Sequence, residues 1–249
     1  MKNSKRHLFI TGASRGLGAG LASVFMEAGW RVSTMARSAS GKAPRGIFFI
    51  AGDARIPEDL TRASAVARAE NGPITAWINN AGMSAWKALE EIDEGFWDQM
   101  ISTNLKSVLF GSQVAARHLQ KGGVILNISS LAGKRGSAKN SVYCAAKFGV
   151  NGITQSLAKE LGPRGIRVNA ICPVYVKTPG LKSALRDPDS PARGQDMQGY
   201  LKIFAKEQSA LGRLPEAREV ADLCLFLASP AASAFTGQCI NVDCGVLPQ

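Results

Sequence analysis

With 249 residues, 45% of them hydrophobic and 20% charged, the chain has the make-up of a globular protein and lacks the polarity of a disordered one. No apolar run approaches the ~20 residues that span a bilayer, and Met1 to His7 is polar and leads into a strand pattern instead of a signal-peptide core, so a cytoplasmic location is expected. The net charge of +11 comes from scattered Lys and Arg without a basic helix or finger signature, which argues against a nucleic-acid function and for a phosphorylated cofactor or an acidic substrate carrier.

His7 to Thr11 reads as a strand ending in a Gly-rich turn, and Leu17, Leu21, Val24 and Phe25 recur at helical spacing as far as Ala28-Gly29. Strands are expected at Arg31 to Ala36, Ile47 to Ala51 and Thr75 to Asn79, with a helix from about Glu58 to Glu70. A long helix carrying Phe96, Met100, Ile101, Val108 and Leu109 on its apolar stripe then leads to a strand at Val124 to Ser129. A second long helix, Tyr143 to Leu161, leads to a strand at Ile166 to Ile171. Thr178 to Met197, rich in Pro, Gly, Ser and charge, breaks the pattern before a short helix near Tyr200 to Gln208, so about 178–208 is expected to form a mobile flap over the active site. A helix at Glu216 to Ala228 and a strand at Gln238 to Val242 complete the chain. The alternation predicts an α/β fold, one domain over 1–249, with a Rossmann-type doubly wound parallel sheet and helices on both faces.

Cys144, Cys172, Cys224, Cys239 and Cys244 form neither CxxC pairs nor zinc spacing with the two histidines, His7 and His118, so free thiols and no metal site are expected. The segment Thr11-Gly12-Ala13-Ser14-Arg15-Gly16-Leu17-Gly18 places three glycines between strand and helix, where a pyrophosphate can approach the amides of a helix N-terminus. A carboxylate at the end of the second strand suits the ribose of NAD, and an arginine there suits the 2′-phosphate of NADP. No Asp or Glu occurs from Ala28 through Gly52, whereas Arg37 stands at that strand end and Arg15 in the turn, so NADP(H) is the expected cofactor.

Beyond the turn come Asp53-Ala54, Asn79-Asn80-Ala81-Gly82, Asn104, Asn127-Ile128-Ser129-Ser130, Tyr143-Cys144-Ala145-Ala146-Lys147 and Pro173 through Thr178. Over nearly its whole length the chain resembles the short-chain dehydrogenase/reductase family. The resemblance implies a cofactor site built from Gly12, Ser14, Arg15, Gly16, Leu17, Gly18, Arg37, Asp53, Ala54, Asn80, Ala81, Gly82, Tyr143, Lys147, Pro173, Val176 and Thr178. In it Asp53 lies near the adenine, Asn80 near its ribose, and Val176 and Thr178 hold the carboxamide. It also implies that Asn104 positions a water linking Lys147 to bulk solvent.

The residues argue for the chemistry independently. Tyr143 and Lys147, four apart on a helix, share a face, and a nearby ammonium is expected to lower a phenol pKa of ~10 toward useful proton exchange. Ser130 closes its strand at the carboxyl edge of the sheet, where it can hydrogen-bond the oxygen that gains charge. Ser129 is its rival, and the spacing to Tyr143 and Gly133 favours Ser130. The expected reaction interconverts a carbonyl and a secondary alcohol by hydride transfer, with Tyr143 as general acid or base, Ser130 orienting the oxygen and Lys147 tuning the phenol. A catalytically silent dinucleotide-binding regulator is the alternative, and the presence of Tyr143 and Lys147 speaks against it.

Two positions depart from the family pattern: Val174 follows Pro173 in place of glycine, and Cys244 stands where a second glycine is usual after Asp243. The resemblance includes 3-oxoacyl carrier-protein reductases, in which Lys121 and Arg164 fall at positions used to dock an acidic acyl carrier protein. Lys134, Arg135 and Lys139 add positive charge between Ser130 and Tyr143. Small ketones, sugars and polyketide-like intermediates remain the other substrate classes. The resemblance further implies a homotetramer built on the helices of Asn104 and Tyr143, with Val242 to Gln249 at another interface.

Overall fold

The computed structural model describes residues 6–38, 45–194 and 196–248. Most of the polar opening and Gln249 at the end of the expected C-terminal interface lie outside them. The elements follow in the order β1 (His7–Thr11), α1 (Gly16–Glu27), β2 (Arg31–Ala36), β3 (Phe48–Ala51), α2 (Pro57–Asn71) and β4 (Ala76–Asn79). Next come α3 (Glu94–Ile101), a π-helical turn (Ser102–Lys106), α4 (Ser107–His118), β5 (Val124–Ile128), α5 (Ser141–Leu161) and β6 (Arg167–Pro173). The chain ends with α6 (Pro179–Ala184), α7 (Met197–Gln208), α8 (Ala217–Leu227) and β7 (Cys239–Val242).

All strand pairs are parallel, in the order β3-β2-β1-β4-β5-β6-β7. Side chains alternate across the sheet because successive Cβ atoms point to opposite faces. Leu8, Ile10, Ala76, Ile78, Val124 and Leu126 therefore pack on one face against α1 and α8, through Leu21, Phe25, Val220 and Leu227. On the other face Phe9, Trp77, Ile125 and Val168 meet α2, α4 and α5, with Phe9 and Trp77 stacked at 4.2 Å. Burial on both faces explains why these strands read as continuous apolar runs instead of alternating ones.

The strand order reverses between β1 and β4, and the crevice beyond their carboxyl ends is where open α/β sheets bind ligands. The Gly-rich turn follows β1 and the Asn80-Ala81-Gly82 segment follows β4, so topology alone brings both to that crevice.

Two expectations are corrected. The long helix of residues 94–118 is not uniform: it widens into a π turn at Ser102–Lys106, and Asn104 lies within it. The 178–208 segment also contains the extra helix α6, and it carries a core of its own, in which Leu185, Ala192, Leu201 and Ala205 pack with Trp86. Asp189 fastens it to the rest of the chain through an ion pair with Lys139 at 2.6 Å and a hydrogen bond from the Ala88 amide. Among the described residues no helix is long and apolar enough to cross a membrane.

Candidate active site

The turn after β1 is held from below. Thr11 Oγ1 accepts from the amides of Asn80 and Ala81 at 3.1 and 3.0 Å, and Asn80 Nδ2 donates to the carbonyls of Thr11 and Gly12, both at 3.0 Å. Asn80 thus spends its amide hydrogens on bracing the turn, and only its side-chain carbonyl oxygen is left to meet a ligand. Gly18 must be glycine because a Cβ would overlap the Gly12 carbonyl and lie 2.9 Å from Ala13 Cα. At Gly16, with φ of +59°, an added Cβ would stand 3.6 Å from Thr178 Cβ, filling the gap between the turn and the start of α6. Arg15 is the extended residue before α1, whose first turn holds no acid. Bare amides, a gap lined by Thr178 and a positive helix end suit the pyrophosphate of a dinucleotide.

At the next strand ends, Arg37 is exposed after β2 and Asp53 follows β3. The Asp53 carboxylate is clamped by Arg55, with Nη2 to Oδ2 at 2.6 Å and Nε 3.0 Å from both oxygens. This clamp holds the Asp53 carboxyl below the usual range, assisted by the more distant charge of Arg37. Asp53, which the family resemblance implies lies near the adenine, is thus paired with Arg55, a residue that the motif reading did not single out.

The catalytic candidates sit at the carboxyl ends of β4, β5 and β6. A chain of buried amides fixes α5 against the sheet: Trp77 Nε1 donates to Asn79 Oδ1 at 2.8 Å, Asn79 Nδ2 to Asn127 Oδ1 at 2.9 Å, and Asn127 Nδ2 to Thr154 Oγ1 at 2.9 Å. Such a network, each donor supplied with an acceptor, sets the rotation and height of α5 and hence the places of Tyr143 and Lys147.

Ser130 accepts from the Ala132 amide at 3.1 Å, and its side chain reaches the Tyr143 phenol closely enough to favour the phenolate. Ser129 is buried, and its hydroxyl donates to the Lys147 carbonyl at 3.3 Å. The structure therefore brings Ser130, and not Ser129, to the phenol. Lys147 is 4% exposed; its ammonium donates to the Ile128 carbonyl at 2.8 Å and lies 5.7 Å from the centre of the Tyr143 ring. A Cβ on Gly82 would lie 3.0 Å from Asn104 Oδ1 and 4.0 Å from Lys147 Nζ, so these two side chains converge on that glycine. Asn104 Oδ1 also accepts from the Met83 amide, and its Nδ2 donates to the Met100 carbonyl. The π turn is what presents Asn104 here, in keeping with the frequency of such turns at functional sites.

The expected lowering of the Tyr143 pKa by Lys147 is not what the surroundings produce. Burial pushes the phenol up to about 12, with the Ser130 hydrogen bond acting the other way. Burial likewise brings Lys147 down to about 8. Spacing reports that two groups share a helix face and carries no information on how much water the fold removes from them.

Val176 is buried and Thr178 caps α6, accepting from the Leu181 amide at 3.2 Å. Pro173 ends β6, and Val174 and Tyr175 turn into the core shared with α7. Of the basic residues expected around the mouth, Lys139 is neutralised by Asp189 of the 178–208 segment, a partner distant in sequence. Lys121 precedes β5 and Arg164 precedes β6, so both stand at the amino edge of the sheet, opposite Ser130 and Tyr143. Arg164 donates to the Ala116 and Leu119 carbonyls, capping the end of α4. Cys244 has φ of +55° and its carbonyl accepts from Ser209 Oγ and the Leu211 amide. Among the described residues no group of His, Cys, Asp and Glu is arranged to hold a metal ion.

The family model described as Enoyl-(Acyl carrier protein) reductase matches residues 12–247. The chain belongs to the short-chain dehydrogenases/reductases. It is 34% identical to a probable galactose dehydrogenase of Rhizobium meliloti, over 97% of this chain and 94% of the relative. It is 33% identical to the 3-oxoacyl-[acyl-carrier-protein] reductase of Vibrio cholerae, over 95% of each. The aldohexose dehydrogenase of Thermoplasma acidophilum superposes with a TM-score of 0.89 at 28% identity, over 98% of each chain. As a family member the chain is an oxidoreductase that interconverts carbonyl and alcohol with a nicotinamide dinucleotide.

Proposed function

We propose that the chain is an NADP(H)-dependent reductase of a ketone to a secondary alcohol, with Ser130, Tyr143 and Lys147 as its catalytic groups and Asn104 as a positioning residue. The observation that carries this reading is the buried Lys147 ammonium, 5.7 Å from the Tyr143 ring and held by the Ile128 carbonyl, with Ser130 at the end of β5 beside that phenol. The turn from Gly12 to Gly18, Arg15 and Arg37, and the strand ends at Asp53-Ala54, Asn80 to Gly82, Pro173, Val176 and Thr178 would hold the dinucleotide, which when bound would supply or accept the hydride. Ser130 donates a hydrogen bond to the substrate oxygen, Tyr143 passes its proton to that oxygen as charge builds, and Lys147 holds positive charge at the phenol. With its phenol up at about 12, Tyr143 is protonated at neutral pH, the state that reduction requires. Asn104 stands where it can order a water in line with Lys147.

Arg37 and Arg15, with no carboxylate at the end of β2, support NADP(H) over NAD(H). The test is absorbance-monitored oxidation of NADPH with a panel of carbonyl compounds, beside titrations of NADPH and NADH. Turnover and at least about tenfold tighter NADPH binding, ~1.4 kcal/mol, are expected; equal affinities would refute the cofactor choice, and an inert panel the reductase reading.

A carrier-bound acyl substrate is a second reading, favoured by the Vibrio cholerae relative and the charge of +11. The location of Lys121 and Arg164 at the far edge of the sheet weighs against their docking a carrier at the site of the same subunit. Exposed Trp97, Leu109 and Phe148 on α3, α4 and α5 support a homotetramer built on those helices, and light scattering showing a monomer would contradict it. A cytoplasmic location accords with this chemistry.

A further inference from the structure

Two partly exposed phenols meet in the core between the end of β6 and α7. Tyr175, two residues beyond β6, and Tyr200, in the first turn of α7, place their hydroxyls 3.4 Å apart, and their rings cross edge to face at 6.2 Å. Phe204, one helical turn beyond Tyr200, packs on Tyr175 at 4.9 Å, and Trp86 belongs to the same cluster. Tyr175 lies within electrostatic reach of Tyr143 and of Arg135. A phenol offers one donor and two lone pairs, so a pair bonded, among the described residues, only to each other retains an O–H and free lone pairs for a third group. Phenylalanine at both positions would fill the same apolar space without polar atoms to satisfy.

We propose that Tyr175 and Tyr200 are specificity determinants that hydrogen-bond the hydroxyl groups of a polyhydroxylated ketone, or of the polyol it becomes, while their rings and Phe204 cover its C–H faces. This deepens the reading of Ser130 and Tyr143 as the reacting end and rests on it. An unbranched acyl chain gives these hydroxyls nothing to bond, whereas a sugar-like chain satisfies them, and a site built to hydrogen-bond a hydroxyl discriminates strongly against a substrate lacking it.

The test uses xylulose and pentan-2-one, five-carbon 2-ketones with and without hydroxyls, at saturating NADPH. Wild type is expected to prefer xylulose. Tyr175→Phe and Tyr200→Phe should each lower the ratio of the two kcat/KM values about tenfold, ~1.4 kcal/mol, with the loss in KM for xylulose. Calorimetric binding of xylitol to the dinucleotide complex should weaken to the same degree. A ratio unchanged within about twofold, a wild-type preference for pentan-2-one, or turnover of neither probe would overturn the proposal. Failure of the catalytic reading shows separately, as retained turnover of both ketones in Tyr143→Phe.

Discussion

Lys147 and Arg37 are both cations at the carboxyl edge of one sheet, yet the fold treats them differently. Lys147 is 4% exposed, bonded to a backbone carbonyl and brought down to about 8 by burial. Arg37 stands in solvent, where its charge still reaches Asp53. In the proposed reading the proton-handling corner is governed by desolvation and responds to pH, and the corner offered to a 2′-phosphate is governed by exposed charge and responds to salt, because the screening length is about 8 Å at physiological ionic strength.

The largest effect belongs to the buried corner. Tyr143→Phe keeps the ring and removes the proton, so turnover should fall by roughly 10²- to 10⁴-fold, measured at saturating NADPH, while the dinucleotide still binds. Near-normal turnover would remove Tyr143 from the mechanism. Lys147→Met should abolish activity and raise the melting temperature at pH 7, because folding holds the lysine's pKa below its unfolded value of 10.5. That destabilisation is fully present below pH ~8, where the lysine is charged in both states, and vanishes above ~10.5, where it is neutral in both. The stability gain of the variant, at most about 3 kcal/mol before the lost Ile128 hydrogen bond is counted, should therefore shrink as pH rises through that window in denaturant titrations.

The exposed corner gives smaller effects. Arg37→Asp should erase a preference of about tenfold for NADPH over NADH, ~1.4 kcal/mol, and the wild-type preference itself should narrow as salt rises. An unchanged ratio of dissociation constants would mean that Arg37 does not meet the 2′-phosphate. Smallest is the strain outside both corners. Cys244→Gly places a residue without Cβ at φ of +55° and should stabilise the fold by about 1 kcal/mol, read from the denaturation midpoint; a lower midpoint would show that the thiol's packing outweighs the backbone strain.

The elements with strong local signals were legible to within a few residues. β2 forms at Arg31–Ala36 as the apolar run predicts, and α5 begins at Ser141, two residues before the expected Tyr143. The π turn was not legible, because the apolar stripe of 94–118 continues through it and the altered winding shows only in the backbone, where the Ser107 amide reaches back five residues to the Ser102 carbonyl. The helix α6 was hidden by Pro179 and Gly180 at its start, residues that also read as loop. Within the site, Ser130, Tyr143 and Lys147 could be picked out by spacing. Arg55, Asp189 and Tyr200 could not, since their partners Asp53, Lys139 and Tyr175 were met through turns and long-range packing that no periodicity encodes.

The sequence by itself determined the βαβ alternation, the bare-backbone turn at Gly12 to Gly18, the lack of a carboxylate after β2 and the helical spacing of Tyr143 and Lys147, because each is a local relation among near neighbours. Only the tertiary structure decided the protonation of that pair, the neutralisation of Lys139 by Asp189 fifty residues away and the meeting of Tyr175 with Tyr200. Those properties depend on which atoms displace water around a charge and on which distant side chain fills the remaining space, and both are set when the sheet and its helices close over the site.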